Sequence, residues 1–285
     1  MRMSAPVRLL LTAAALCGVL AACNRERAAE PGAPAPGAAA VVTPADAAAP
    51  LKFETKTPWA EVSLALPEGL KPQTDLHARL YSEEVRKLRQ FVEGAQGERT
   101  EAGFDESMPP YAKTIEYAVA GQTGKLLSLK RVDYDWSGGA HPNTLTTGLL
   151  WDKALKREIG FSDLFRKGAD LSVLDQALCS AVNAAKRARV PDSASLTLNG
   201  DDWACPHASA TPFVLTPGSA PGKAAGLTFL IGPYQVGPYA EGAYELAIPA
   251  TVFRSLLAPA YADEFGGQPT KVGDVTPGMD QSARN

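Results

Sequence analysis

The first candidate site is the loop over residues 134–144, which centres on His141. Gly138 and Gly139 can adopt positive φ angles and allow another backbone or a ligand to approach closely. The proline after His141 favours an extended conformation, which should present the hydrogen-bonding side chains of His141 and Asn143. The candidate ligand contacts are Gly138, Gly139, His141 and Asn143. The alternative is a structural turn in which His141 hydrogen-bonds a carbonyl group.

The second candidate site is the segment 232–242, in which Gly-Pro-Tyr occurs twice. Proline lowers the entropy that a loop loses on ordering, and tyrosine combines a large apolar ring with a hydroxyl group. Such a loop is suited to binding a glycan or a protein surface, with Tyr234, Tyr239 and Glu241 as candidate contacts. An irregular core segment whose tyrosines pack inward is equally compatible with the sequence.

Motifs of several enzyme classes are absent from the sequence. It contains no Gly-x-Ser-x-Gly elbow of an α/β-hydrolase and no His-Glu-x-x-His pair of a zinc protease. Residues 121–125 lack the upstream glycine of a phosphate-binding loop, since Val119 occupies that position, and they predict a hairpin turn. His77 has polar neighbours on a predicted helix and is expected at the surface. We therefore assign no catalytic residue, no metal ligand and no cofactor.

Cys179 and Cys205 are the two thiols of the predicted folded part. In an oxidising compartment, two cysteines in one domain favour a disulfide. A disulfide that closes a loop of this length would stabilise the fold by about 3–4 kcal/mol. Two free buried thiols are one alternative. A metal site with His207 is another, although a structural zinc ion normally requires four ligands and no fourth is evident nearby.

Residues 1–22 have the pattern of a lipoprotein export signal, with basic residues followed by a short apolar run that ends in small residues. We expect Cys23, which follows as in a bacterial lipobox, to be acylated, for example with palmitate. The alternative is an ordinary cleaved signal with an incidental cysteine. An inner-membrane retention signal usually has Asp directly after the cysteine, whereas this chain has Asn24. We therefore predict a periplasm-facing lipoprotein of the Gram-negative outer membrane. Residues 23–50, rich in Ala and Pro, are expected to form a flexible tether.

Charge and hydropathy restrict the partners further. The chain has 285 residues and a formal net charge of −3, and removal of residues 1–22 would leave −5. Nucleic-acid binding is not expected, because it normally requires a strongly basic surface. After Cys23, no segment provides the run of about 20 apolar residues that a membrane-spanning helix needs. We therefore expect membrane attachment through the lipid anchor.

Hydrophobic periodicity predicts strands interspersed with helices. The predicted helices cover 75–92, 171–189 and 250–257. The predicted strands cover 59–66, 144–151, 226–231 and 244–248, together with a hairpin of 111–120 and 125–136. This mixture indicates an α+β fold with antiparallel sheets and packed helices. Residues 261–285, which are rich in Gly, Pro and polar residues, are expected to be a disordered tail.

Three sequence motifs follow one another along the chain. They are Trp-Ser-Gly-Gly-Ala-His-Pro-Asn at 136–143, Trp-Asp at 151–152 with Glu-Ile-Gly-Phe-Ser-Asp-Leu-Phe at 158–165, and Gly-Pro-Tyr-Gln-Val-Gly-Pro-Tyr-Ala-Glu-Gly at 232–242 with Ile-Pro at 248–249. On these motifs, residues 55–257 resemble the PdaC/RsiV-like extracellular module. That module occurs in lysozyme-sensing anti-sigma factors, beside peptidoglycan deacetylase domains and in bacterial lipoproteins.

The resemblance implies a two-part α+β fold, with a smaller N-terminal portion over 51–136 and a C-terminal portion over 137–260 that carries the family motifs. The family often has Thr-Gly-Lys after its aspartate, whereas this chain has Lys-Ala-Leu-Lys at 153–156, so this turn should take another conformation. The sequence has no cytoplasmic sigma-binding segment before the anchor and no deacetylase domain after the module. We therefore expect neither anti-sigma nor deacetylase activity.

These features predict a lipid-anchored periplasmic binding protein of the cell envelope. Its expected partner is a lysozyme-like wall enzyme or the glycan of peptidoglycan, because lysozyme binding is the best understood role of the module. We favour binding over catalysis. One alternative is a cell-wall-modifying enzyme that uses His141 with a nearby carboxylate. Another is a structural envelope lipoprotein without a specific ligand.

Overall fold

The computed structural model describes residues 49–278 except 104 and 106, and these residues form a mixed α+β fold with two β-sheets. The predicted signal 1–22, the lipid site Cys23 and most of the tether 23–50 lie outside the described residues. Within the described part of the chain, no helix is long and apolar enough to cross a membrane.

The first sheet has six strands in the spatial order β1-β2-β3-β4-β5-β6. The strands are β1 (Lys52–Lys56), β2 (Ala60–Ala65), β3 (Tyr111–Gln122), β4 (Leu126–Trp136), β5 (Asn143–Asp152) and β6 (Arg157–Glu158). The long β3–β4 hairpin confirms the prediction made from alternating residues on either side of the glycine-containing turn. Strands β2 and β3 are parallel because the chain crosses over through helix α1, Thr74–Glu101, between them.

Helix α1 packs on one face of this first sheet and is longer than predicted. Its side chains Leu76, Leu80 and Leu88 are almost fully buried, as the helical spacing indicated. The helix was expected to end at 92, because the residues that follow are mostly polar. It continues to Glu101, and near its end the buried Arg99 donates hydrogen bonds to the carbonyl oxygens of Met108 and Pro109.

The second sheet has the order β10-β9-β8-β7 and packs against helix α2, Ser172–Arg189. Its strands are β7 (Phe213–Pro217), β8 (Ala224–Ile231), β9 (Tyr244–Pro249) and β10 (Gly273–Asp274). Leu174, Leu178 and Val182 of α2 are fully buried in a core shared with this sheet. Sequence patterns missed β7, which is short and ends in proline, and also missed β1 and β10.

Strands β4 and β5 connect the two cores, because successive side chains of a strand point to opposite faces. Leu126 and Leu150 belong to the core around α2, whereas Leu127 and Leu149 belong to the core under α1. The second sheet packs closely against β5 at Gly148, where an added Cβ atom would lie 1.7 Å from the carbonyl oxygen of Phe213. Glycine at position 148 is therefore required for this contact between the sheets.

The segment 261–278 corrects the prediction of a disordered tail over 261–285. The described part includes helix α3 (Pro259–Ala262) and β10, which pairs with β9. The buried Tyr261 donates a hydrogen bond to Asp152 over 2.9 Å, and Phe265 is 1 % exposed. Residues 279–285 lie outside the described residues.

One shorter prediction also differs from the structure. Residues 250–257 form two 3-10 segments, Ala250–Val252 and Arg254–Leu256, rather than an α-helix.

In the turn 153–156, Asp152 accepts hydrogen bonds from the amides of Ala154 and Leu155, and Lys156 adopts a left-handed φ of 50°. The predicted boundary at 136/137 falls between β4 and β5, which are neighbours in one sheet.

Candidate functional site

The two loops singled out in the sequence meet in space. The His141 ring stacks on the Tyr239 ring with the centroids 4.2 Å apart and the planes 20° apart. The Tyr239 hydroxyl also donates a hydrogen bond to the carbonyl oxygen of Pro142 over 3.2 Å. Tyr234 continues the cluster, with its centroid 5.4 Å from that of Tyr239. We call His141, Tyr234 and Tyr239 the aromatic patch.

The His141 loop owes its shape to two glycines at the end of the β4–β5 hairpin. Gly138 and Gly139 have φ angles of +90° and +93°, in a region that side chains other than glycine rarely occupy. His141 is exposed, and its Nδ1 atom donates a hydrogen bond over 3.0 Å to the carbonyl oxygen of Pro142. This is the hydrogen bond to a carbonyl group that was expected if the loop is a structural turn. The ring nevertheless remains accessible to a ligand.

Asn143 begins β5 directly opposite Asp135 of β4 and is exposed to solvent. Among the described residues, no side-chain hydrogen bond occupies its amide group. Asn143 therefore keeps both the donor and the acceptor capacity of its side chain on the same loop as His141.

The second loop presents Tyr234 to solvent, with 57 % of the residue exposed. Tyr234 has a φ of +65°, which is uncommon for a bulky residue and indicates local strain. The loop is braced nearby, where the amide of Gly232 donates a hydrogen bond to the side chain of Gln235 over 2.6 Å. The inward-packed alternative for this loop does not hold for Tyr234, whose ring is exposed next to Tyr239.

Glu241, a predicted ligand contact, has a side chain that is mostly buried. Its Oε2 atom lies 2.7 Å from Nζ of Lys186 and accepts a hydrogen bond from the Tyr244 hydroxyl over 2.7 Å. The Glu241 side chain is only 10 % exposed. Burial alone would raise the pKa of this carboxyl group, but the hydrogen bonds from Lys186 and Tyr244 lower its pKa overall. Glu241 therefore anchors the loop beneath the aromatic patch.

Two cations near the end of α2 hold this anchor. Lys186 also donates to the carbonyl oxygen of Val236, and Arg189 donates to the carbonyl oxygens of Glu241 and Ala243. The Arg189 guanidinium lies 3.6 Å from the centroid of the Tyr244 ring. Sequence reasoning missed both residues, because basic side chains in the last turn of a helix are common for reasons of the helix dipole alone.

The predicted disulfide is present between Cys179 of α2 and Cys205. His207 does not join it in a metal site; its Nδ1 atom lies 2.7 Å from Oδ2 of Asp175. Throughout the described ranges, no group of three or more His, Cys, Asp or Glu residues could hold a metal ion. The surface position expected for His77 is wrong, because His77 is 3 % exposed and its Nε2 atom contacts the carbonyl oxygen of Pro50.

The described residues do not bring a carboxylate into hydrogen-bond contact with His141. The Nδ1 atom of His141 bonds the Pro142 carbonyl group, and Glu241, the acidic residue of the neighbouring loop, is paired with Lys186. The geometry therefore offers aromatic ring surfaces and amide groups for recognition.

Comparison with known protein families gives two matches along the chain. The family model described as "Deacetylase PdaC" matches residues 53–144, and the model described as "Protein of unknown function (DUF3298)" matches residues 162–251. The first match ends within the His141 loop region, and the second contains the segment 232–242. A comparison with curated proteins gives no match.

Solved structures of the DUF3298 family are similar to this chain at low sequence identity. One, from Bacteroides fragilis, has 20 % identity and a TM-score of 0.46, with 72 % of this chain and 86 % of that chain covered. Another, from Pseudomonas aeruginosa, has 20 % identity and a TM-score of 0.47, with 76 % of this chain and 94 % of that chain covered.

Proposed function

Because this chain carries the two-part PdaC/RsiV-like module, an envelope-associated module of the RsiV type, we propose that it is a binding protein of the cell envelope. It recognises a lysozyme-like wall enzyme or the glycan of peptidoglycan through the aromatic patch. The main support for this proposal is the stack of His141 on Tyr239, which joins the two loops next to the exposed Tyr234.

The chemistry of the patch supports recognition of a sugar or a protein surface. Tyrosine rings supply a rigid apolar area at a small cost in side-chain entropy, and their hydroxyl groups retain hydrogen-bonding capacity. The Asn143 amide on the same loop adds a donor and an acceptor. The net charge of −5 expected after removal of residues 1–22 adds a weak attraction for a basic protein partner.

Rigid support for the loops also favours binding. Lys186 and Arg189 fix the Glu241 turn from below, and Gly138 and Gly139 set the path of the other loop. A preorganised surface loses less entropy when it binds a partner, so the strain at Tyr234 is consistent with a recognition loop.

The binding experiment uses immobilised lysozyme and purified peptidoglycan, with the full chain as analyte. We expect binding to at least one of them, and we expect Tyr234→Ala to weaken it by about tenfold or more, as for an aromatic contact at an interface. Tyr81→Ala, at a partly buried tyrosine on α1, is the matched control and should leave affinity unchanged. A folded protein that binds neither lysozyme nor peptidoglycan would contradict the proposal.

We further propose that Cys23 carries a lipid anchor and that the protein faces the periplasm from the outer membrane. The pattern of residues 1–22 supports this proposal, together with Asn24 after the cysteine. In a Gram-negative host, the wild-type protein should be recovered with outer membranes. Cys23→Ser should release it from the membrane fraction, and Asn24→Asp should move it to the inner membrane. Recovery of Cys23→Ser in the outer membrane would contradict the anchor.

A further inference from the structure

Strand β1 lies at one edge of the first sheet. Within the described part of the chain it pairs with β2 alone, and it contains no proline. An edge strand presents a row of unpaired amide and carbonyl groups, to which a further strand can bind. The outer edge of β1 is therefore a surface on which an extended segment can pair.

The ladder between β1 and β2 fixes which backbone groups of β1 face outward. In an antiparallel pair, residues that bond across the ladder alternate with residues whose amide and carbonyl groups point away from it. The amide of Leu66 donates to the carbonyl oxygen of Leu51 over 2.7 Å, so the odd-numbered residues of β1 bond to β2. The backbone groups of Lys52, Glu54 and Lys56 consequently point away from the sheet.

The two faces of β1 differ in character. Leu51 and Phe53 pack against the core under α1, and they lie half-buried on that face of the sheet. Lys52, Glu54 and Lys56 alternate with them and are exposed. A strand that pairs with β1 therefore meets an apolar row on the α1 side and a charged row on the other.

A small cavity of about 140 Å³ opens beside β1 on the α1 side of the sheet. Its lining is mostly apolar and consists of Phe53, Thr55, Val62, Arg89, Val92 and Glu93. A neighbouring strand that places apolar side chains on this face would remove this lining from water, which is favourable.

Charges on an edge strand normally hinder pairing, and here they exclude one register with a second copy of the chain. Antiparallel pairing of two identical strands about a two-fold axis places one residue opposite itself. With Glu54 on the axis, the two Glu54 carboxylates face each other and Lys52 faces Lys56. Both contacts bring like charges together.

A register with Phe53 on the axis removes this conflict. Lys52 then faces Glu54 of the second copy, and Glu54 faces Lys52, so both charge pairs are complementary. Among the described residues, Lys52 and Glu54 have no ion-pair partner, so both charges are available for this contact. With Thr55 on the axis, Glu54 would face Lys56, whose ammonium group already lies 3.2 Å from Glu61.

We propose that the chain self-associates by antiparallel pairing of β1 with β1 of a second copy, with Phe53 opposite Phe53. The outward backbone groups of Lys52 and Glu54 exchange hydrogen bonds between the copies. Leu51 of each copy then lies opposite Thr55 of the other and covers the cavity. A pairing of five-residue strands buries less surface than the 1,200 Å² or so of a standard stable interface, so the association is weak and reversible. This inference is independent of the ligand of the aromatic patch.

Sedimentation equilibrium of the full chain over a wide range of loading concentrations measures the association. The wild-type chain should show a reversible monomer–dimer equilibrium. Glu54→Pro removes an amide hydrogen that points away from β2, so it should abolish dimerisation and leave the β1–β2 ladder intact. A wild-type chain that stays monomeric would overturn the proposal, and so would a dimer that persists in Glu54→Pro.

Charge variants test the register and do not depend on the folding of Glu54→Pro. Glu54→Lys brings two ammonium groups together in both charge pairs and should weaken association by about tenfold. Lys52→Glu combined with Glu54→Lys restores opposite charges and should recover the wild-type equilibrium. Glu116→Lys makes the same change of charge at an exposed position of β3 and is the matched control, which should leave association unchanged. Equal effects of Glu54→Lys and Glu116→Lys, or no recovery in the combined variant, would overturn the proposed pairing.

Discussion

The His141 ring lies flat against the Tyr239 ring, with 4.2 Å between their centroids, and so joins the ends of two loops from different sheets. Stacked pairs of this kind add about 0.5–1.5 kcal/mol beyond the area that they bury. The stack therefore sets the relative position of the loops that form the aromatic patch.

Loss of the Tyr239 ring should uncouple the two loops. We expect Tyr239→Ala to abolish binding of the wall ligand, whereas Tyr239→Phe should retain much of it, because the phenylalanine ring keeps the stack and loses only the hydrogen bond to the Pro142 carbonyl group. Isothermal titration with the ligand identified in the binding experiment measures both variants. Equal affinity of Tyr239→Ala and wild type would show that the stack plays no part in recognition.

The Lys186–Glu241 ion pair should contribute to stability only as a pair. Removing one partner leaves the other charge buried, so Lys186→Met and Glu241→Gln should each lower the free energy of unfolding by about 3 kcal/mol. The double variant should lose much less than the sum. Urea unfolding of the four proteins gives the coupling energy directly.

An exposed pair on the same chain provides the control for this cycle. Lys71 and Glu68 are 2.7 Å apart, but their side chains are 57 % and 77 % exposed. Lys71→Met should therefore change the free energy of unfolding by no more than about 1 kcal/mol. Similar losses at Lys186 and Lys71 would contradict the anchoring role of the buried pair.

The lowered pKa of Glu241 predicts a pH dependence of stability. Its ordinary value is 4.5, and the folded protein holds it below that value through Lys186 and Tyr244, against the opposing effect of burial. The stabilisation is thus fully present above pH 4.5 and is lost as the pH falls through the lower folded pKa. Glu241→Gln should remove this part of the slope when urea unfolding is followed between pH 6 and pH 3. An unchanged slope in the variant would contradict the assignment.

The close approach of the sheets at Gly148 predicts a large difference between two Gly→Ala substitutions. Gly148→Ala would place its Cβ atom 1.7 Å from the Phe213 carbonyl oxygen, so we expect it to destabilise the fold strongly. Gly94→Ala lies in α1 with nothing within 4 Å of the added carbon, and should stabilise the protein by about 0.5–1 kcal/mol. Thermal unfolding distinguishes the two, and tolerance of Gly148→Ala would contradict the described packing.

Local sequence patterns predicted the elements that depend on local chemistry. The β3–β4 hairpin follows from alternation around a glycine-containing turn, and α2 was predicted within one residue of its observed limits. The disulfide between Cys179 and Cys205 was predicted from the cysteine count and the expected compartment. In each case the signal lies within a short segment or in a residue type with few alternatives.

Contacts between residues that are far apart in the sequence could not be predicted from local patterns. The two loops of the aromatic patch were identified separately, but the contact between Pro142 and Tyr239 spans 97 residues, and no local pattern encodes it. Glu241 was assigned to the ligand from its place in the segment 232–242, because its partner, Lys186, lies 55 residues away in the sequence. The segment after 260 was assigned to disorder on composition, although Tyr261 and Phe265 complete the core beside α2.

The most direct test of the central proposal is to locate the ligand on the protein surface. Amide chemical-shift changes should be measured on the full chain as lysozyme, or a soluble peptidoglycan fragment, is added. We expect the largest changes at His141, Asn143, Tyr234 and Tyr239, and their loss in Tyr234→Ala. Saturable binding with its largest changes on α1 or β1, and none in the two loops, would contradict recognition through the aromatic patch.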